Sequence, residues 1–166
     1  MSVPKSVVKI KKGNVEYTSR VDFAAYTIVE LSRAAMRDVG KYVTRKVNSK
    51  AMRLRGMVSK KNRPSAGFAG INNRVKGRTS TFLYDVPWAK SGLPHLELGI
   101  TDEAWYGVDQ ELGKSGMPKL GLLRNTTYEQ IAKIVEIESK YLSALEDEAR
   151  ALALIDEGEY KGGADD

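Results

Sequence analysis

The feature that most constrains this chain is a helical repeat that starts at Asp22 and holds to Leu54. Ala25, Val29, Ser32, Met36, Val39, Val43, Val47 and Ala51 recur at intervals of three and four, so on an α-helix they share one face, which predicts that the stripe is buried. Asp22 stands where an N-cap side chain would accept a free backbone N–H. Such a helix is about 50 Å long at ~1.5 Å per residue. The rest of the chain must be laid along it. With 166 residues and 42% hydrophobic content, the chain can fill one ordinary core. A single domain over residues 1–156 is expected, followed by a flexible acidic tail at 157–166, EGEYKGGADD.

On another face of the same repeat Arg33, Arg37, Lys41 and Arg45 follow at intervals of four. Like charges at that spacing repel by ~0.2–0.5 kcal/mol per pair, so the ridge calls for an acidic partner, phosphates or plain solvation. The wider charge pattern is polarised. From Val39 to Tyr84 there are twelve Lys or Arg and no acid, whereas Glu129 to Asp166 holds eleven acids against four bases. That polarity suits contact with nucleic acid or electrostatic pairing between copies of the chain.

The helical repeat gives way to a basic arm or loop at about 55–78, RGMVSKKNRPSAGFAGINNRVKGR, with four glycines and a proline. Loops this long in compact domains are uncommon unless they carry function. Lys60, Lys61 and Arg63 mark the arm as a partner contact, and Phe68 is an apolar tip that can dock on a neighbouring subunit. Together with Arg33, Arg37, Lys41 and Arg45 they form the candidate partner or nucleic-acid surface. Aromatic residues are too few there for a base-stacking platform.

Strand periodicity appears in three places. Val8 and Ile10, then Gly13-Asn14, then Val15 and Tyr17 predict a short hairpin, with a free basic arm as the competing reading. Phe82, Tyr84, Val86 and Trp88 alternate with Leu83 and Asp85, and Leu96, Leu98 and Ile100 alternate with Glu97 and Gly99. Trp105 to Leu112 is expected to add a further strand. A second long helix is expected from Thr126, capped by the Thr126/Glu129 box, through Ile131, Ile134, Val135, Tyr141, Leu142, Leu145, Ala149 and Leu152 to about Asp156. The expected fold is therefore α+β: a long N-terminal helix, a three- to four-stranded antiparallel sheet, and a long C-terminal helix packed on one sheet face.

Catalytic chemistry finds little to work with. The chain has no cysteine, which removes thiolate metal sites and disulfides, and one histidine, which argues against a zinc cluster or a Ser-His-Asp arrangement. His95 reads as an edge residue. Asp102, Glu103, Asp109 and Glu111 lack the alternating acids and fixed glycine of a calcium loop. Neither a catalytic residue nor a cofactor or metal is expected. No apolar run approaches the ~20 residues of a membrane span, and the N-terminus has no signal-peptide core. The expectation is that the protein is made in and remains in the cytoplasm, without membrane association, unless a particle carries it out.

Between the last expected strand and the last helix stands WYGVDQELGKSGMPKLGLLR. Tyr106-Gly107-Val108-Asp109-Gln110-Glu111-Leu112-Gly113, then Gly116-Met117-Pro118, then Leu122-Leu123-Arg124, resemble the tail-completion or head–tail joining family of long-tailed bacteriophages, the group that includes the minor tail protein Z type. The resemblance spans about Asp22 to Asp156, and Tyr106, Glu111, Gly113, Met117, Pro118, Leu123 and Arg124 carry it. Leu112 stands where Phe is usual, Lys119-Leu120-Gly121 replaces Ala-Arg-Pro, and Asn125 replaces a second Pro. What the resemblance implies is a structural virion protein of the neck or tail, forming a homo-oligomeric ring, with a hexamer among the sizes it admits. Such a ring contacts other neck or tail proteins and surrounds the DNA path without reading it. A basic nucleic-acid-binding module without catalytic activity is the alternative. From the residues alone, Gly113 and Gly116 permit a tight loop, Leu120, Leu122 and Leu123 anchor the following helix, and Arg124 is placed to pair with Glu111 or Asp109.

Overall fold

The computed structural model of the chain describes residues 8–57, 82–87, 94–100, 107–114 and 119–160. The order is β1 (Val8–Lys12), β2 (Val15–Ser19), α1 (Val21–Met57), β3 (Phe82–Asp85), β4 (Glu97–Ile100), α2 (Gly107–Leu112), α3 (Leu122–Glu129), α4 (Ile131–Leu142), a 3-10 turn (Ser143–Glu146) and α5 (Glu148–Tyr160). The class is α+β. The strands, however, form two separate antiparallel pairs, β1–β2 and β3–β4, in place of one sheet of three or four.

Two expected elements change type. Trp105–Leu112 was to be a strand, but Gly107–Leu112 is a helix with Gly107 and Glu111, four apart, buried. The alternation of Val108, Gln110 and Leu112 misleads because its apolar members are the exposed ones. The single C-terminal helix is three helices and a 3-10 turn. Helix α3 begins four residues before the expected cap, so Thr126 is buried within it and caps nothing. Glu129 closes α3 and pairs with Lys50 of α1 at 2.8 Å. On α4, Glu136 pairs with Lys133 one turn before it. Helix α5 continues to Tyr160, so the first residues of the expected tail are helical.

The N-terminal hairpin forms as expected, with Lys12 opposite Val15 and Ile10 opposite Tyr17. Gly13 takes φ 63° at the two-residue turn, a value that favours glycine. One residue, Arg20, separates β2 from α1. Asp22 lies inside the first turn of α1 rather than at its N-cap, where its charge faces the positive end of the helix dipole.

Helix α1 is the spine, and it buries different faces in its two halves. Toward the C-terminus Val39, Val43, Val47 and Ala51 pack with Phe82 and Leu122, as the stripe predicts. Toward the N-terminus Leu31, Ala34 and Ala35 pack with Tyr141, Ala144, Ala151, Leu154 and Ile155. At 3.6 residues per turn, Leu31 and Ala34 project roughly 120–180° away from Val43. The predicted N-terminal stripe is therefore off the core: Ala25 is exposed, and Val29, Ser32 and Met36 are half-buried. The reason is the break at Ser143–Glu146, which folds α5 back so that α4 and α5 together cover the small-residue face at Ala34 and Ala35.

Strand β3 alternates as expected, with Phe82 buried and Leu83 exposed. The Tyr84 ring lies on Gly40 of α1, and the Asn48 amide reaches the Phe82 carbonyl at 3.5 Å. Burial pushes the Tyr84 phenol above its ordinary value of 10.0, Arg37 opposes the rise and Asp38 adds to it. The fold thus favours the neutral phenol, while the unfolded chain ionises first. This contribution is intact below pH 10 and is lost as pH rises through the raised value. In alkaline unfolding measurements, Tyr84→Phe is expected to lose less stability above pH 10 than the parent chain.

Candidate functional site

The motif stretch is built around one buried side chain. Glu111, the fifth residue of α2, directs Oε1 at the backbone N–H groups of Leu123 (2.9 Å) and Arg124 (3.2 Å). These are orphan donors of the first turn of α3, whose N-cap residue, Gly121, has no side chain to satisfy them. A carboxylate at this position also faces the positive end of the helix dipole. Backbone bonds from Leu120 N–H to the Gln110 carbonyl and from Gly121 N–H to the Glu111 carbonyl close the junction. Gly113 ends α2 at φ 83°, donating to the Asp109 carbonyl at 3.0 Å, the left-handed cap that favours glycine.

The consequence is a clamp between two helices formed without sheet pairing. Leu122 is buried and Leu120 and Leu123 pack beside it on the Val43–Val47 core, as the sequence suggested. The expected pairing of the Arg124 side chain with Glu111 or Asp109 is corrected: Glu111 meets the Arg124 backbone, and the guanidinium lies 5.8 Å from the Tyr128 ring centre. Asp109 pairs with Lys114 at 3.0 Å. Glu111→Ala is expected to cost about 0.5–2 kcal/mol, the range for a lost helix cap. Glu111→Gln should recover part of that loss, because its carbonyl still accepts both bonds. Urea unfolding of the three proteins checks the order. Tyr106, Met117 and Pro118 lie outside the described residues.

The basic ridge is partly consumed within the chain. Arg33 and Lys41 each interact with other groups of the chain, Arg37 lies close enough to Tyr84 to influence its ionisation, and beyond the ridge Lys50 is held by Glu129. Lys46 lies over the Tyr42 ring, and the Tyr42 hydroxyl donates to Gln130 at 2.5 Å. Arg45 is exposed. Lys60, Lys61, Arg63 and Phe68 lie outside the described residues. His95 is exposed on the approach to β4, 3.0 Å from Glu97. Among the described residues, no three His, Asp or Glu side chains converge on a point that could hold a metal ion, and no helix is long and apolar enough to cross a membrane.

The surface that sequence reasoning missed is apolar. The apolar residues of α4 hold the expected helical period, yet only the face of Ile134, Ile137 and Tyr141 turns to α1. Ile131, Val135 and Leu142 point outward, Leu142 at 65% exposure, and Tyr128 and Leu145 extend the exposed row. Where this row meets α1 there is a groove of about 230 Å³, walled by Ile28, Leu31, Met36, Leu142 and Leu145 with Glu138 at its rim. Ser32 and Met36, from the predicted but unburied part of the α1 stripe, line it too. A repeat that is apolar on more than one face, but covered on one, was the available signal. No family model, curated protein or solved structure matches this chain.

Proposed function

We propose that the chain is a structural protein of a bacteriophage neck or tail, whose copies close into a ring that completes the tail and joins it to the head connector, with no catalysis of its own. The observation that carries this reading is the bare apolar row of α4. A helix already packed on α1 through one face keeps Ile131, Val135 and Leu142 exposed on another, with Leu145 exposed in the 3-10 turn that follows, and contiguous exposed apolar surface marks association sites. The resemblance of the Tyr106–Arg124 stretch chooses the setting, and the basic and acidic segments supply the unlike surfaces that a closed ring needs. Residence in the virion, after synthesis in the host cytoplasm, is part of the same proposal.

The reading is tested by co-sedimentation of the purified protein with isolated phage tail tubes and with connectors. Capture by either one, at a fixed stoichiometry, is the expected result. Failure to bind both, together with salt-dependent binding to duplex DNA, would transfer the argument to the nucleic-acid alternative. That alternative needs a free basic surface on α1, and the interactions of Arg33 and Lys41 on the ridge and of Lys50 beyond it count against it.

A further inference from the structure

The N-terminal hairpin is amphipathic and has no core of its own. Ile10 and Tyr17 are directly opposed across its strands, and Val15 and Lys12 follow on the same face. Ile10 is 57% exposed, Val15 70% and Tyr17 59%. An isolated two-stranded hairpin is marginal in water, so an apolar face of this kind gains stability by docking.

We infer that the hairpin of one copy docks this face into the α1–α4 groove of a second copy, with Tyr17 and Ile10 against Ile28, Leu142 and Leu145. The inference rests on the self-assembly reading above and deepens it by assigning the two surfaces. Size supports it: about 230 Å³ is below the roughly 300–1,000 Å³ of small-molecule pockets and suits one or two large side chains. Charge supports it as well. Val8 to Arg20 carries four bases and one acid, whereas Ile131 to Tyr160 carries eight acids and three bases. Lys12 shares the apolar face of the hairpin, and Glu138 rims the groove.

The hairpin of the same chain is poorly placed to turn back. Only Arg20 links it to α1, and that residue is held twice, by the Ala24 N–H at 2.9 Å and by Glu148 at 3.4 Å. A hairpin inserted into a groove is a contact between unlike surfaces. Repeated from copy to copy, it generates a ring or a filament rather than a two-fold dimer.

Because the chain has no cysteine, single variants of the full-length protein give a direct test. Tyr17→Cys and mass-tagged Leu145→Cys are mixed and mildly oxidised. The expected product is a disulfide-linked pair of unlike mass, formed roughly a hundredfold faster than either like pair because docking raises the effective thiol concentration. Tyr17→Asp and Leu145→Asp, both at exposed positions, should each weaken association by roughly a hundredfold while leaving the circular dichroism unchanged. An oligomer that gives no unlike pair, or that links Tyr17→Cys only to itself, overturns the hairpin docking and leaves self-association standing. A Tyr17→Cys/Leu145→Cys double variant that closes its link within a single chain also overturns it. A protein that is monomeric at every concentration overturns both this inference and the reading beneath it.

Discussion

Phe82→Ala is expected to remove about 3–5 kcal/mol of stability, the range for truncating a buried phenylalanine. Phe82 is 1% exposed and is one of the largest fully buried side chains. It joins β3 to Val39, Val43, Val47 and Ala51 of α1 and to Leu122 of α3, so one ring holds three elements. The cavity left behind cannot close easily. Strand β3 is fixed by its pairing with β4, Phe82 opposite Ile100, and α3 is fixed by Glu111. A domain with ordinary stability of ~5–15 kcal/mol would lose a large part of it. Denaturant unfolding with an unchanged slope and a lower midpoint is the signature to look for.

Gly40→Ala is the second large effect, and its sign runs against helix propensity. In the interior of an exposed helix, alanine is favoured over glycine by ~1 kcal/mol. At Gly40, however, an added Cβ would lie 2.3 Å from Tyr84 Cδ2 and 2.5 Å from Cγ. Cγ is the root of the ring, so the clash cannot be relieved by moving the tip of a flexible side chain. The ring must leave α1, carrying β3 with it or abandoning its packing. Overpacking of this kind costs about 1–3 kcal/mol, and the loss of the Tyr84 contact adds to it. The net expectation is a loss of roughly 1–3 kcal/mol. A Gly40→Ala/Tyr84→Ala double variant should be less destabilised than the sum of its parts, because the second change removes the obstacle.

These positions show how far the residues announce the fold. The Val39–Val43–Val47–Ala51 stripe and the alternation at Phe82–Asp85 were legible because each buries one face against one neighbour, and the Gly13-Asn14 hairpin because its turn residues fix it locally although its apolar face stays exposed. The N-terminal half of α1 was not. Its stripe at Ala25, Val29, Ser32 and Met36 is as regular as the rest, yet α4 and α5 pack on the small-residue face instead. That choice depends on the break at Ser143–Glu146, which no proline or glycine marks. Likewise, Gly107–Leu112 alternates like a strand, and only the burial of Glu111 as a cap for α3 explains why it is helical. Gly40 carried no local signal, because its reason is a tyrosine 44 positions away in sequence.

The candidate site divides in the same way. Glu111, Gly113 and Leu123 were singled out and form the α2–α3 clamp, although through a backbone cap and not through the expected Arg124 pair. The ridge at Arg33, Arg37, Lys41 and Arg45 was legible as charge, but its engagement with other parts of the chain was not. The apolar row of α4 was legible as helical periodicity, but its exposure was not. Periodicity reports that a face is apolar and is silent on whether the covering surface belongs to the same chain.

The central claim is that copies of this chain associate through unlike surfaces, and sedimentation equilibrium tests it most directly. Samples at ~1 to ~100 µM, spanning affinities of about −8 to −5.5 kcal/mol, are run at low and high salt. The account predicts a single closed multiple of the 18.4 kDa chain that loosens as salt screens the basic and acidic segments. An 18.4 kDa monomer at every concentration and salt would contradict it.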